Sequence, residues 1–267
     1  MQSGYYSATG GMITQFNRLD VISNNLANLN TPAFKKDKII VGDFKRIFQE
    51  TQENMPIPNN TTEAAKFLNS SIDSVPQVVE HYTQFSQGGL KSTGNSLDFA
   101  LKSPNVFFMV KTPNGIRLTQ DGSFVINKDG VLSTKEGYPV LPANYFQNSQ
   151  LIKVPQDATL SADAAGNLYS NGNAISKFYI ATSNDIKSLQ KEGSNLYKFP
   201  NINVIKQSAN PDIVEQGFLE DSNVNPVTEM VHLIEANRMV EMYQKVMNSH
   251  MNDLNTDAIN KLASVTA

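Results

Sequence analysis

The sequence predicts an α+β fold in which long N- and C-terminal helices pack as an α-helical, coiled-coil-like assembly domain, plus a central antiparallel β-rich domain. Near both ends, apolar residues recur every three or four positions, which is typical of amphipathic helices. Between the ends, short apolar runs alternate with turn dipeptides such as Asn171-Gly172. We expect a helical assembly domain (1–35 and 226–267), an extended arm or linker (36–90), a β-rich outer domain (91–215) and a return connection (216–225).

The first helix is predicted from Gly4 to Leu29, because its apolar positions form one narrow seam with steps of three or four residues. Gly10-Gly11 should weaken the helix locally. Pro32 should end it, since the residue before a proline avoids the α region. The seam consists of Tyr5, Ala8, Met12, Phe16, Leu19, Ile22, Leu26 and Leu29.

The last helix is predicted over residues 226–262. Asn225 is suited to the N-cap and Pro226 to the first helical position. Its apolar stripe has a period of about 3.67 residues, which favours a straight or slightly right-handed bundle. Methionines on this helix suit slightly different neighbours, because thioethers adapt to irregular gaps. The stripe consists of Val240, Tyr243, Met247, Met251, Leu254, Ala258 and Leu262.

The middle of the chain is predicted to be an antiparallel barrel or sandwich. Pro113-Asn114-Gly115 and Asn171-Gly172 indicate hairpins, and residues 127–130 indicate a turn rather than a calcium loop. A short helix is predicted near 184–190. The polar residues 49–75 cannot bury much apolar surface, so we expect an extended arm that lies along neighbouring subunits.

Composition excludes several functions. The net charge is −3 with no concentrated basic patch, which argues against nucleic acid as a partner. No apolar run approaches a membrane span, and the N-terminus lacks the pattern of a cleaved signal peptide. His232 and His250 are about 27 Å apart along the predicted helix, too far to share one metal. We find no candidate catalytic residue, no metal site and no cofactor site, so we expect that the chain is not an enzyme.

Two interpretations of the terminal helices stay open from the pattern alone. They can be the core of an ordinary α+β monomer. Alternatively, subunits packed side by side can cover their apolar faces, which are about 39 and 55 Å long at the helical rise. A third possibility, from a different class of function, is a soluble binding module that uses its β domain for recognition.

Four motifs, in order along nearly the whole chain, resemble those of the bacterial flagellar rod and hook proteins. The first resembles the family's N-terminal signature, the second its entry to the β domain, the third its following hairpin, and the fourth the entry to its last helix. In this sequence they are residues 24–35 (NNLANLNTPAFK), 93–101 (TGNSLDFAL), 119–124 (TQDGSF) with 137–140 (GYPV), and 216–227 (QGFLEDSNVNPV).

The resemblance implies a subunit of the axial rod of the flagellar basal body, which crosses the periplasm and transmits torque from motor to hook. Both chain ends would form an inner helical layer, with the β domain facing outward. Expected partners are other copies of the chain, related rod proteins above and below, hook-side rod subunits and the surrounding bushing rings. Export would use the flagellar type III apparatus, without a cleaved signal peptide.

Within the family, Thr31-Pro32 and Asn225-Pro226 favour a proximal-rod protein, whereas the length favours a distal-rod protein. The sequence also departs from the family pattern. Ala33 stands where relatives often carry glycine, so the backbone after Pro32 need not be left-handed here.

The residues that we predict to contact other subunits lie on both terminal helices and in the first and last motifs. The asparagines of the first motif can bond across subunits, or can simply terminate a helix. Phe34 is expected to pack under the helix, or to contact a neighbouring subunit. The predicted interface residues are Tyr5, Met12, Phe16, Leu19, Asn24, Asn25, Asn28, Thr31, Phe34, Asn223, Asn225, Met230, Val240, Tyr243, Met247, Met251 and Leu254.

Overall fold

A computed structural model describes residues 2–43, 76–155, 159–183, 185–199, 205–208 and 210–265. The predicted polar arm at 49–75 and the side chain of Leu254 lie outside the described residues. The described part contains three α-helices and one short 3₁₀ helix, Ile186–Ser188, which lies within the segment where a short helix was predicted. The α-helices are α1 (Gln2–Ala27), α2 (Tyr145–Asn148) and α3 (Pro226–Val265).

Seventeen strands lie between α1 and α3 in the described part of the chain. In order they are β1 (Asp37–Asp43), β2 (Pro76–Thr83), β3 (Leu90–Ser92), β4 (Phe99–Leu101), β5 (Val106–Thr112), β6 (Gly115–Thr119), β7 (Phe124–Ile126), β8 (Leu132–Thr134), β9 (Leu160–Ala162), β10 (Asn167–Ser170), β11 (Asn173–Lys177), β12 (Ile180–Ser183), β13 (Gln190–Gly193), β14 (Leu196–Lys198), β15 (Ile205–Gln207), β16 (Val214–Gln216) and β17 (Phe218–Glu220).

The largest sheet has six antiparallel strands in the order β13-β14-β6-β5-β12-β15. A three-stranded sheet has the order β11-β10-β9. Four further pairs complete the described sheets: β1-β2, β16-β4, β17-β3 and β7-β8. The pairing of β16 and β17 with β4 and β3 brings the end of the β region back to its beginning.

The chain divides into two compact units. The first consists of Met1–Leu26, Asp37–Tyr82 and Asn225–Ala267, and it contains α1, α3 and most of the β1-β2 pair. The second consists of Ala27–Lys36 and Thr83–Val224, and it contains the larger sheets. The short segment Ala27–Lys36 therefore belongs to the same unit as the β sheets, although it directly follows α1.

The central strand β5 has a hydrophobic cluster on each face of the six-stranded sheet. Phe108 packs with Phe99, Phe124 and Phe178 in one cluster, with ring centroids 5.1–6.0 Å apart. Phe107, the next residue along the strand, belongs to the other cluster. Because successive side chains of a strand point to opposite faces, a strand that is apolar throughout is buried on both sides.

The predicted fold class is wrong in its helical part. The β-rich central region is present, but the terminal helices do not form a coiled-coil-like assembly domain, which would need an apolar seam buried along both helices. Phe16 on α1 is 45% exposed and Met251 on α3 is 49% exposed, although both belong to the predicted seams. Tyr243 does contact α1, at Gly11, where an added Cβ would lie 2.4 Å from the tyrosine ring. Apolar periodicity shows that a helix has an apolar face, but it does not show what covers that face.

Local predictions fare better, because they depend on short-range chemistry. Thr112 pairs with Gly115 across the β5-β6 hairpin, as the turn signal predicted. Asn171 and Gly172 both have positive φ, as a type I′ turn requires. Asn225 caps α3, since its side-chain oxygen accepts the Thr228 backbone N–H at 3.1 Å. At Ala33, however, φ is +54°, so the position is left-handed despite its side chain.

Candidate functional site

Three chain segments of the second unit meet around Lys35, and we call residues 33–36, 84–88 and 220–223 together the Lys35 cluster. The first segment follows α1, and the third precedes α3. The approach to the first segment is shaped locally, since the Thr31 hydroxyl donates to the Asn28 side chain at 3.2 Å. The left-handed Ala33 then donates its backbone N–H to the Glu220 carbonyl at 2.7 Å. This backbone turn directs Lys35 into the protein.

Lys35 and Glu220 form a buried ion pair. The Lys35 Nζ lies 2.5 Å from the Glu220 Oε1, and the two residues are 0% and 2% exposed. Burial lowers the pKa of Lys35 below its usual value, and the charge and hydrogen bond of Glu220 act against that shift. The ammonium also donates to the Ser86 carbonyl at 3.2 Å, and Oε1 accepts the Gly88 N–H at 2.7 Å. Removal of either charge would leave the other buried and unpaired.

The Asn223 side chain joins the same three segments. Its Oδ1 accepts the Lys36 backbone N–H at 2.8 Å. Its Nδ2 donates to the Gln84 and Ser86 carbonyls at 2.7 and 3.0 Å. A side-chain amide has the same donor and acceptor groups as a peptide bond, so Asn223 satisfies backbone groups that no strand ladder pairs.

The β13-β14 hairpin covers this segment from another side. Lys191 Nζ donates to the Lys35 carbonyl at 2.9 Å and lies 3.8 Å from the centroid of the Phe34 ring. Asn195 Nδ2 donates to the Pro32 carbonyl at 2.8 Å. Phe34 is buried within its own unit, and the group over its ring is Lys191. Its packing under the helix and its contact with a neighbouring subunit stay predictions.

Only part of the predicted interface set lies in this cluster. Phe34 and Asn223 come together there, through a hydrogen bond from the Asn223 N–H to the Phe34 carbonyl at 3.2 Å. Asn25 is buried in the other unit, where its amide both donates to and accepts from the Asp37 backbone at 3.0 Å. Contact with other subunits stays a prediction for all these residues.

The remaining predicted residues belong to the first unit, apart from Asn28 and Thr31. Val240 is buried, whereas Met230 and Met251 are about half exposed. Met247 accepts a hydrogen bond from Thr9 through its sulfur at 3.5 Å. Those that are partly exposed are Tyr5, Met12, Leu19, Tyr243 and Met247, and Asn24 is exposed.

Sequence reasoning missed Lys35, Glu220, Lys191 and Asn195. Lys35 and Glu220 lie inside two of the family motifs, residues 24–35 and 216–227. Their place in these motifs was the one feature of the sequence that could have identified them as functional residues. Nothing in the sequence indicates that the two motifs meet, because they are separated by most of the chain.

The described residues contain neither of two other features, a metal-binding group and a membrane-spanning helix. Within them, no group of three or more histidine, aspartate or glutamate side chains is placed to hold a metal ion. No helix in the described part is long and apolar enough to cross a membrane.

Three family models match separate parts of the chain. Residues 6–35 match the family model "Flagella basal body rod protein", which covers most of α1 and the start of the Lys35 cluster. Residues 104–170 match "Flagellar hook protein FlgE/F/G D1 domain", within the β-rich unit. Residues 215–260 match "Flagellar basal body rod FlgEFG protein C-terminal", which includes Glu220 and most of α3.

Similar proteins align with nearly the whole chain. The flagellar basal-body rod protein FlgF of Caulobacter vibrioides is 29% identical, and the match covers 99% of this chain and 100% of that protein. FlgG of Buchnera aphidicola subsp. Schizaphis graminum is 30% identical over 92% of this chain and 94% of that protein. FlgG of Borreliella burgdorferi is also 30% identical, over 95% of this chain and 97% of that protein. These relatives are structural proteins and not enzymes, and the chain belongs to the family of flagellar basal-body rod proteins.

Proposed function

We propose that the chain self-assembles, with related rod proteins, into the axial shaft of the flagellar rod and there transmits torque from motor to hook. The observation that carries this proposal is the apolar surface of the terminal helices. On α3, Met230, Ile234 and Met242 are 54%, 53% and 50% exposed. Met230 and Ile234 are one helical turn apart and so lie on one face of α3, and exposed apolar residues that lie together are typical of a protein–protein contact site. In a family of rod subunits, neighbouring subunits are the partners that would cover it.

We place the chain in the proximal rod, with the distal rod as the alternative. The support is the pair of sequence features Thr31-Pro32 and Asn225-Pro226. Relatives named FlgF and FlgG are similar to the chain to nearly the same extent, at 29% and 30% identity. The periplasmic location, type III export, and contacts with hook-side subunits and bushing rings are further parts of the proposal, supported by family membership.

Photo-cross-linking in assembled basal bodies tests the proposed contacts. A photoreactive residue would replace Met230 or Met251, which are about half exposed on α3. The matched control is Asn171, which is exposed in the β10-β11 turn. We expect cross-links from the two α3 positions to copies of the same chain or to other rod proteins, and few from Asn171. Basal bodies of motile cells without cross-links at either methionine would contradict the proposed interface.

Electron microscopy of basal bodies from a deletion strain distinguishes the two positions in the rod. A proximal subunit is needed before any distal one can be added, so we expect basal bodies without the distal part of the rod and without a hook. A deletion strain that keeps a short rod, lacking only its outer part, would support the distal alternative.

A further inference from the structure

The three segments of the Lys35 cluster are joined to one another by backbone hydrogen bonds. Each backbone bond between them joins two different segments, so the loss of one segment would leave donors and acceptors unpaired on the others. These bonds run from Ala33 N to Glu220 O (2.7 Å), from Gln84 N to Lys36 O (2.9 Å) and from Asn223 N to Phe34 O (3.2 Å).

Close backbone packing at Gly88 prevents partly separated arrangements of the segments 84–88 and 220–223. A Cβ at Gly88 would lie 2.0 Å from the Asp221 carbonyl oxygen, so two segments are in direct backbone contact there. The Gly88 N–H also donates to the Glu220 carboxylate. Segments that pack this closely cannot slide past one another without breaking their bonds, and they are therefore either together or apart.

Few apolar side chains hold the cluster closed. Its buried apolar residues are Ala33, Phe34 and Phe85, and of these only Phe85 belongs to the core of the large sheet, where it packs against Phe107 and Tyr197. The remaining contacts are hydrogen bonds and one ion pair, whose net contributions are modest. Within the described residues, the second Glu220 oxygen, Oε2, has no hydrogen-bond partner. Regions with few buried apolar contacts open at lower free energy than the core does.

We propose that residues 33–36, 84–88 and 220–223 open and close as one cooperative unit, which we call the latch. The Lys35–Glu220 ion pair stabilises its closed state. Opening releases the segment that follows α1 and the segment that precedes α3 at the same moment. The latch is a property of the isolated subunit, and it does not depend on the proposed rod function.

Native-state hydrogen exchange on the purified full-length chain, at increasing denaturant concentrations, tests the latch. The reporter amides are those of Ala33, Gln84 and Asn223, which each donate across a segment boundary. We expect protection factors within about threefold of one another, with one common denaturant dependence smaller than that of the β5 amides. Protection factors that differ widely, or different denaturant dependences, would overturn the proposal.

Two variants test the role of the ion pair. Lys35→Met should lower the protection of all three amides by a common factor of at least about tenfold, because it leaves Glu220 buried and unpaired. Glu220→Gln, which keeps the side-chain shape and an acceptor for Gly88, should do the same if Lys35→Met does not fold. The matched control is Lys38→Met, since Lys38 is exposed on β1. A loss at Ala33 with unchanged protection at Gln84 and Asn223 would show that the segments open independently.

Discussion

Two ion pairs of nearly equal length allow the effect of burial to be measured on its own. Lys35–Glu220 is 2.5 Å long and its side chains are 0% and 1% exposed. Lys102–Asp212 is 2.6 Å long, but its side chains are 34% and 65% exposed. Breaking a buried pair on one side costs about 3–5 kcal/mol, because the remaining charge stays desolvated. An exposed pair is screened by water, so its loss should be close to the limit of measurement.

We therefore predict that Lys35→Met and Glu220→Leu each lower the free energy of unfolding by about 3–5 kcal/mol. The double variant removes both charges, and its main loss is then the acceptor of the Gly88 N–H, which costs about 1–3 kcal/mol. It should accordingly be more stable than either single variant. Lys102→Met is the matched control, and we expect no clear change in its unfolding midpoint.

The assay is equilibrium unfolding in urea at neutral pH. The chain has no tryptophan, so the near-ultraviolet circular dichroism of buried tyrosines such as Tyr197 reports on the β-rich unit. Equal losses for Lys35→Met and Lys102→Met would refute the reasoning, since burial would then not decide the energy of the pair. A double variant that loses the sum of both single changes would also refute it, because the two charges would then be uncoupled.

Two further predictions concern the second unit. Gly88→Ala should lower the free energy of unfolding by about 2 kcal/mol or more, because the new Cβ would lie 2.0 Å from the Asp221 carbonyl oxygen. Gly89→Ala is its control, with no atom within 4 Å of the new Cβ, and a loss for both variants in the same urea titration would contradict the steric explanation. At Asp163, burial alone would raise the pKa, but hydrogen bonds from Asn167, Tyr169 and the Ala165 N–H outweigh it and hold the pKa below 3.8. The stability gained from this carboxylate is therefore fully present above about pH 3.8 and is lost as the pH falls through the lowered pKa. The advantage of wild type over Asp163→Asn, measured by urea unfolding from about pH 6 to about pH 2, should shrink over that range. A difference that stays constant with pH would contradict the assignment.

Local chemistry made the start of α3 and particular turns predictable. Asn225 and Pro226 fix the start of α3, because an N-cap oxygen and a proline at the first helical position depend only on nearby backbone groups. The Asn171-Gly172 turn has the same basis, since both residues tolerate positive φ. The four motifs likewise identified the family, which the relatives confirm.

The sequence failed where the answer depended on packing. The seam of α1 predicted a coiled-coil-like partner, but Phe16 is half exposed, and the Gly11 that weakens the isolated helix is the position where Tyr243 contacts it. From the sequence, Ala33 need not be left-handed, because a side chain makes that conformation unfavourable by about 1–2 kcal/mol. The hydrogen bond from Ala33 to Glu220 and its complete burial hold it there.

The sequence by itself determined the family, the two long helices and turns such as Asn171-Gly172, since each of these depends on residue types at short spacing. Only the tertiary structure decided that Lys35 and Glu220 meet, because their sequence positions are 185 residues apart. A lysine in one motif and a glutamate in another are each compatible with a solvated surface. Their burial together follows from the return of β17 to β3 and from the left-handed turn at Ala33, and no local pattern encodes either.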